Sequence, residues 1–397
     1  MTKLSRYLIV AGAALTSAVP GAAMAQVALD RVDPLQAERE RERQPEALQA
    51  QPKVEVEADP RNESATARGS VLVGAVTFAG LRVLSPSDFA DVIVSRVGST
   101  MNPAELAALA TAVADRARAK GYPFASAWIE PQRMANGVLT VSVDEGVISE
   151  IRFEGPAPAS VRQALAPLAN QRPVPLAQLE RSLLLAGDID GVQIKSSRFL
   201  REAGRGILLV RVAQDRLAFR AQLSNEGTRP LGPAQVRVDA DLNALLFSDD
   251  SATITYSTTP AEPDELQFVR ARYAKRITSA GTELGITGLG SRTRPGAYLV
   301  PLDLESRSWF VGVDLLQPLL RQRRVSLWLQ GEIGIRDLKQ WQQDTLVRHD
   351  RVTAARLTLY GYADFAGGRL RVSSTMSRGL GWFEARSEEH SLNSSHT

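Results

Sequence analysis

Residues 324–336 read RVSLWLQGEIGIR. Val325, Leu327, Leu329, Ile333 and Ile335 fall on odd positions, and Ser326, Gln330, Glu332 and Arg336 on even ones, with Trp328 the exception. Alternation of period two predicts a strand with one oily and one wet face. The run is about twice the usual strand length of roughly five or six residues. Working outward, the same pattern recurs from residue 215 on. Val236, Val238, Ala240, Leu242 and Ala244 alternate with Arg237, Asp239, Asp241 and Asn243. Ala252, Ile254 and Tyr256 alternate with threonines and serine, and Trp309, Val311, Val313 and Leu315 share a face. Roughly nine such strands are expected through Phe383. Segments of about ten alternating residues separated by turns are the pattern of a transmembrane β-barrel. A soluble β-sandwich also alternates. Strand length, the leader described next and the charges recurring on the wet face favour the barrel. The odd face of 324–336 is then expected to meet lipid, with Gln330, Glu332 and Arg336 in a watery lumen.

The chain of 397 residues begins MTKLSRYLIVAGAALTSAVPGAAMAQ. A basic start, a short apolar run and the small-x-small site Ala23-Met24-Ala25 predict a secretory signal over 1–25, cut before Gln26. No later segment has about 20 continuous apolar residues, so a membrane location requires a barrel. Hydrophobic residues make up 44% and charged ones 23%, which excludes a disordered chain and a helical membrane bundle. The formal charge of +3 has no basic block behind it and gives no case for nucleic acid. With no cysteine, disulfides and thiolate metal sites are excluded. Of three histidines, two lie in the last eight residues, so no catalytic or metal constellation can be assembled and no cofactor is expected.

Between leader and strands lie three further regions. Residues 26–70 are polar: Asp33-Pro34 opens LQAERERERQ, a solvated helix or plain coil with no apolar face, followed by a linker. Residues 71–147 predict an α+β unit in the order strand, helix, helix, strand, strand. VLVGAVTF is the first strand. Ser85-Pro86-Ser87-Asp88 and Asn102-Pro103-Ala104-Glu105 cap two helices. Asn136-Gly137 marks a hairpin before VLTVSV. Residues 148–214 repeat that order, with helices over Val161–Leu168 and Pro175–Gly187. A repeated unit without catalytic groups points to a binding module.

The stretch GYPFASAWIEPQRMANGVLTVSVDEG (121–146) resembles the end of the first POTRA domain in two-partner secretion transporters, the haemolysin secretion/activation proteins. Gly121-Tyr122, Pro131-Gln132, Gly137-Val138-Leu139 and Glu145-Gly146 carry the match. QLERSLLLAGDIDGVQIKSS (178–197), with Leu179-Glu180 and Gly191-Val192, resembles the second POTRA domain, and Gln317-Pro318-Leu319 with Arg321 an early barrel region. The resemblance implies tandem β-α-α-β-β POTRA domains, 71–147 and 148–214, and an incomplete antiparallel transmembrane barrel over 215–385. It implies that 26–70 holds a pore-plugging helix and its linker. It further implies a monomer in the outer membrane of a Gram-negative bacterium, POTRA domains in the periplasm, exporting an unfolded exoprotein of adhesin, haemolysin or toxin type. A barrel-assembly insertase and a passive porin are the alternatives. Arg270, Arg272, Arg307, Glu332, Arg336 and Arg356 are the pore-lining candidates. Arg321, Arg323 and Arg324 read as a solvated rim, or as a lipid-phosphate site. His349 is placed in a loop, without a metal role.

Residues 386–397, RSEEHSLNSSHT, have no alternation and read as a non-native tail on a chain cut short. The family's Arg-Gly-Tyr-type loop and its terminal aromatic strand are absent. Sequencing genomic DNA past the codon for Glu384 is expected to show an open frame of roughly 150–200 further residues, enough for about seven more strands. A stop codon after Thr397 would defeat this expectation.

Overall fold

The computed structural model describes residues 54–56, 69–133, 135–381 and 387–389. The leader with Ala23, Ala25 and Gln26, nearly all of 26–70 and most of the tail lie outside the described residues. A first strand, β1 (Val54–Val56), comes from the polar linker.

The first α+β unit carries β2 (Val71–Val73), β3 (Ala75–Ala79), α1 (Ala90–Ile93), β4 (Ser99–Met101), α2 (Pro103–Ala119), β5 (Ser126–Trp128) and β6 (Val138–Asp144). The single strand expected for VLVGAVTF is split at Gly74: β2 pairs with β4, and β3 runs parallel to β6. Asn102 and Glu105 form the expected capping box at the start of α2. The apolar stripe Leu106, Leu109, Ala110, Val113 and Ala117 is buried beneath it.

The hairpin is looser than Asn136-Gly137 suggested. β5 and β6 are antiparallel, but β5 stops at Trp128 and a longer loop follows. Pro131 has no N–H for a ladder. Beyond it the Gln132 side chain takes the strand's place, donating to the Thr140 carbonyl at 2.8 Å and accepting from its N–H at 2.9 Å.

The second unit repeats the plan with β7 (Glu150–Glu154), α3 (Ala159–Leu165), α4 (Leu176–Gly187), β8 (Val192–Glu202) and β9 (Arg205–Gln214). Its sheet runs β1-β8-β9-β7, so the linker strand adds a parallel outer strand beside β8. The units are welded at Phe124, which leaves the first unit to stack on Phe199 of the second at 4.2 Å between centroids. Arg201 lies over Phe199, donates to the Phe124 carbonyl at 2.6 Å and pairs with Asp144 at 3.1 Å.

Nine antiparallel strands follow, each paired with the next: β10 (Leu217–Ser224), β11 (Gln235–Asn243), β12 (Asp250–Thr258), β13 (Gln267–Arg276), β14 (Glu283–Thr293), β15 (Leu304–Arg321), β16 (Val325–Gln342), β17 (Thr345–Phe365) and β18 (Gly368–Leu380). β10 and β18 do not meet, so the sheet is open; a short β19 (Ser387–Glu389) pairs with β17. No helix among the described residues is long and apolar enough to cross a membrane.

Truncating Phe124 removes a fully buried ring shared by both units. Phe124→Ala is expected to cost about 3–5 kcal/mol, read as a lowered unfolding midpoint in urea; a loss below 1 kcal/mol would show that the units do not depend on this contact.

Candidate functional site: edge strands, a buried joint and a two-faced sheet

The matched motif residues mostly hold the α+β units in shape. Glu145 is buried and accepts from the N–H groups of Val83 and Leu84 at 2.6–3.1 Å. Gly146 has φ +88°, and a Cβ there would lie 2.5 Å from that of Phe124, so only glycine lets the chain pass. Gly121 ends α2, and its carbonyl accepts from Leu176 N–H in the second unit. Burial pushes the Tyr122 phenol up, with the Glu145 and Asp88 charges adding to it. Asp88 goes the other way: the Lys120 ammonium and Ser85 hold its carboxyl well below the usual range. Leu139 and Leu179 are core residues.

What the units offer outward is main chain. The outer edges of the first unit's sheet are β3 and β5; in the second unit they are β7 and β1, the latter covering β8. β1 is held by three residue pairs and by a Glu55–Arg198 ion pair of 3.7 Å between exposed side chains, which is worth little.

The second unit docks on the sheet through its Asp188-Ile189-Asp190-Gly191 loop. Arg321 is 2% exposed and donates to both Asp188 carboxylate oxygens, at 2.7 and 2.6 Å. It also donates to Ser326 Oγ and lies over the Trp328 ring. Arg276 donates to the Leu185 carbonyl, Ser251 to Asp190, and Glu180 faces Arg323 at 3.8 Å. Arg321 and Arg323 therefore belong to a domain joint, which corrects the reading of these two residues as solvated rim or lipid-phosphate site. The reach of Arg321 across 133 residues of chain has no signal in the sequence.

The sheet has the two expected faces. Outward stand Ile254, Val269, Ile286, Val311, Val313, Leu315, Ile333 and Leu357, all exposed. On the other face Arg272 pairs with Glu283 at 2.9 Å and Asp314 at 3.0 Å, and Arg356 with Glu332 at 2.8 Å. Gly285 makes room for the first group: a Cβ there would lie 2.6 Å from Asp314 Oδ1. Arg270 and Arg336 share this face by register. Trp328, the exception to the alternation, is also here, stacked on Tyr360 at 5.5 Å beside the joint. Arg307 is a correction. Its odd position in β15 puts it outward with Trp309 and Val311, because side chains two apart share a face. His349 is not in a loop but in β17, 3.0 Å from Asp337. Among the described residues no group of three histidine or carboxylate side chains could hold a metal.

Comparison with known proteins accounts for this arrangement. A profile of the ShlB-type POTRA domain matches residues 71–146, and a profile of the haemolysin secretion/activation protein ShlB/FhaC/HecB family matches 205–397. The chain belongs to this family. The outer membrane transporter CdiB of Escherichia coli is 22% identical over 363 residues, 88% of this chain and 60% of the relative. The heme/hemopexin transporter protein HuxB of Haemophilus influenzae (strain 86-028NP) is 22% identical over 275 residues, 66% of this chain and 47% of the relative. The solved structure of CdiB from Escherichia coli superposes with a TM-score of 0.59 at 18% identity, covering 96% of this chain and 71% of that one. The shared fold is thus the family's: POTRA units leading into an antiparallel barrel sheet. The chain spans about 60% of the length of the curated CdiB relative.

The joint makes its own prediction. Asp188→Asn strands the buried Arg321 guanidinium and is expected to cost about 3–5 kcal/mol, while adding Arg321→Met restores part of the loss. A double-mutant cycle on thermal unfolding reads the coupling; additive losses would show that the two do not act as a pair.

Proposed function

We propose that the protein is an outer-membrane transporter of two-partner secretion. In this reading residues 1–25 are a cleaved export signal. Residues 71–147 and 148–214 are periplasmic capture modules, and 215–385 contribute to the wall of a β-barrel pore. The cargo is an unfolded exoprotein of adhesin, haemolysin or toxin type, and the protein carries out no chemistry. One observation supports this above all: two binding units with open strand edges are fixed, through a buried ion pair, to one end of a sheet that is oily outside and charged inside. The names of the relatives CdiB and HuxB, both transporters, agree with it.

The steps follow from the geometry. An unfolded partner adds a strand to a POTRA edge by main-chain hydrogen bonds, which need little side-chain specificity. The β8 edge is the strongest candidate, because a three-residue segment of this same chain already pairs there. The joint then holds the captured strand at the mouth of the barrel. Arg270, Arg272, Glu332, Arg336 and Arg356 line a hydrated passage in which a polar, extended chain leaves no main-chain group stranded in hydrocarbon. No nucleotide is available in the periplasm, so folding outside the cell supplies the direction.

Deleting Val54–Val56 bares the β8 edge. Binding of the partner's N-terminal domain to the deleted protein is expected to tighten several-fold in a surface-plasmon measurement, with crosslinks from the partner to β8. Unchanged affinity together with crosslinks confined to another strand would move capture away from this edge. Loss of both POTRA units with undiminished export would overturn the transport reading itself.

A further inference from the structure

The outward face of the sheet changes character at the end remote from the POTRA joint. From Val325 to Ile335 the outward positions of β16 are aliphatic or glycine. Ten residue steps at about 3.4 Å, tilted by about 45°, span about 24 Å, matching the roughly 25 Å apolar band of an outer-membrane barrel. Trp309, 42% exposed, stands at the upper border of that band, where barrels carry aromatic girdles. One register step beyond Trp309, charges replace the aliphatic residues. The cross-strand pairs Arg292↔Arg307 and Arg307↔Lys339 set three cations side by side on β14, β15 and β16, facing out. Arg294 joins them from the adjoining loop.

Like charges directly opposite one another destabilise a sheet. Glu305 relieves part of the repulsion, pairing with Arg292 at 3.0 Å, Arg294 at 2.8 Å and Arg307 at 2.5 Å. One carboxylate serves three guanidinium groups there; Asp264 reaches only Arg294, at 3.9 Å. Lys339 forms no ion pair among the described residues. The arginine side chains are 37–56% exposed while Glu305 is 15% exposed, so the cations, not the carboxylate, are presented to the surroundings. Arg307 also lies over the Trp341 ring, which fixes its plane. The opposite end of the same face has no such excess: Lys275 sits over the Phe247 ring and Tyr273 donates to Asp250.

Two guanidinium groups and an ammonium on adjacent strands about 5 Å apart, at headgroup height and beside indole rings, match phosphate oxygens, and the other carboxylate on this stretch of the face, Asp337, is held by His349 and Arg351. We infer that Arg292, Arg294, Arg307 and Lys339 form an outward-facing site for the phosphate groups of a phosphorylated glycolipid of the outer leaflet. The acyl chains of that lipid lie on the aliphatic band below. The site rests on the outer-membrane reading given above and would fix how high the barrel rides in the bilayer.

The test uses the protein purified in mild detergent from the outer membrane, titrated with bis-phosphorylated lipid A and followed by native mass spectrometry. Fractionation and heat-modifiable migration on gels report barrel and location separately. Discrete lipid A adducts are expected. Each of Arg292→Gln, Arg307→Gln and Lys339→Gln should weaken binding about fivefold, and the triple variant on the order of a hundredfold. Lys339→Gln breaks no ion pair and so guards against a folding artefact. Lys275→Gln, at the other end of the same face, should leave affinity unchanged, and dephosphorylated lipid A should bind no better than the triple variant binds the phosphorylated form. Inorganic phosphate alone should not bind measurably. Equal binding of the dephosphorylated lipid, an unaffected triple variant, an equal loss in Lys275→Gln, or saturable binding of free phosphate would each overturn the lipid site while leaving the transporter reading intact. Absence of the protein from the outer membrane would overturn both.

Discussion

In hydrocarbon there is no water to satisfy a peptide group, so a chain can cross only if neighbouring strands take up every main-chain N–H and C=O. That constraint organises the C-terminal half of this protein. From β10 to β18 each strand pairs with its sequence neighbour through an antiparallel ladder, interrupted only by shifts near Pro318 and Gln340. Register then sorts the side chains. A slip of one residue would carry Asp314 and Glu332 into lipid and Val313 and Ile333 into the lumen. The alternation is therefore a specification of register as much as of fold.

The POTRA pair depends on the sheet in a different way. Arg321 is buried against a quarter-exposed Asp188, and such a pair adds little net stability against an apolar replacement, whereas losing one partner leaves a buried charge. Around it, Arg276, Ser251 and Glu180 each meet a partner across the same seam. On the transport function proposed above, a capture module aligned with a pore needs such a fixed joint. The linker strand β1, by contrast, is held by only three residue pairs and one weak surface ion pair.

Much of this was legible in the sequence. The long strands, the two repeated α+β units and the capping of α2 follow from local rules: period two, period 3.6 and turn chemistry. The POTRA motif was legible as a pattern, but its reasons were not. Gly146 looks like a turn glycine until Phe124 is seen packed against it. Gln132 looks like a surface residue until its amide is found standing in for a strand. Arg307 has the charge of a lumen residue, but its spacing from Trp309 puts the two on one outward face. For Arg321, nothing in 321–324 records that Asp188 waits across the joint.

By itself, the sequence determined the period of each segment, and hence which residues share a face, where helices start and which half of the chain is sheet. These are properties of neighbours along the chain, set by backbone geometry. Only the tertiary structure decided which end of the sheet meets the POTRA pair, that β1 lies beside β8, and that Arg292, Arg307 and Lys339 stand in one outward row. Those relations join residues that are far apart in sequence, and strand register and domain docking bring them together. No local preference encodes them, because each depends on residues that meet only once the strands are registered and the units docked.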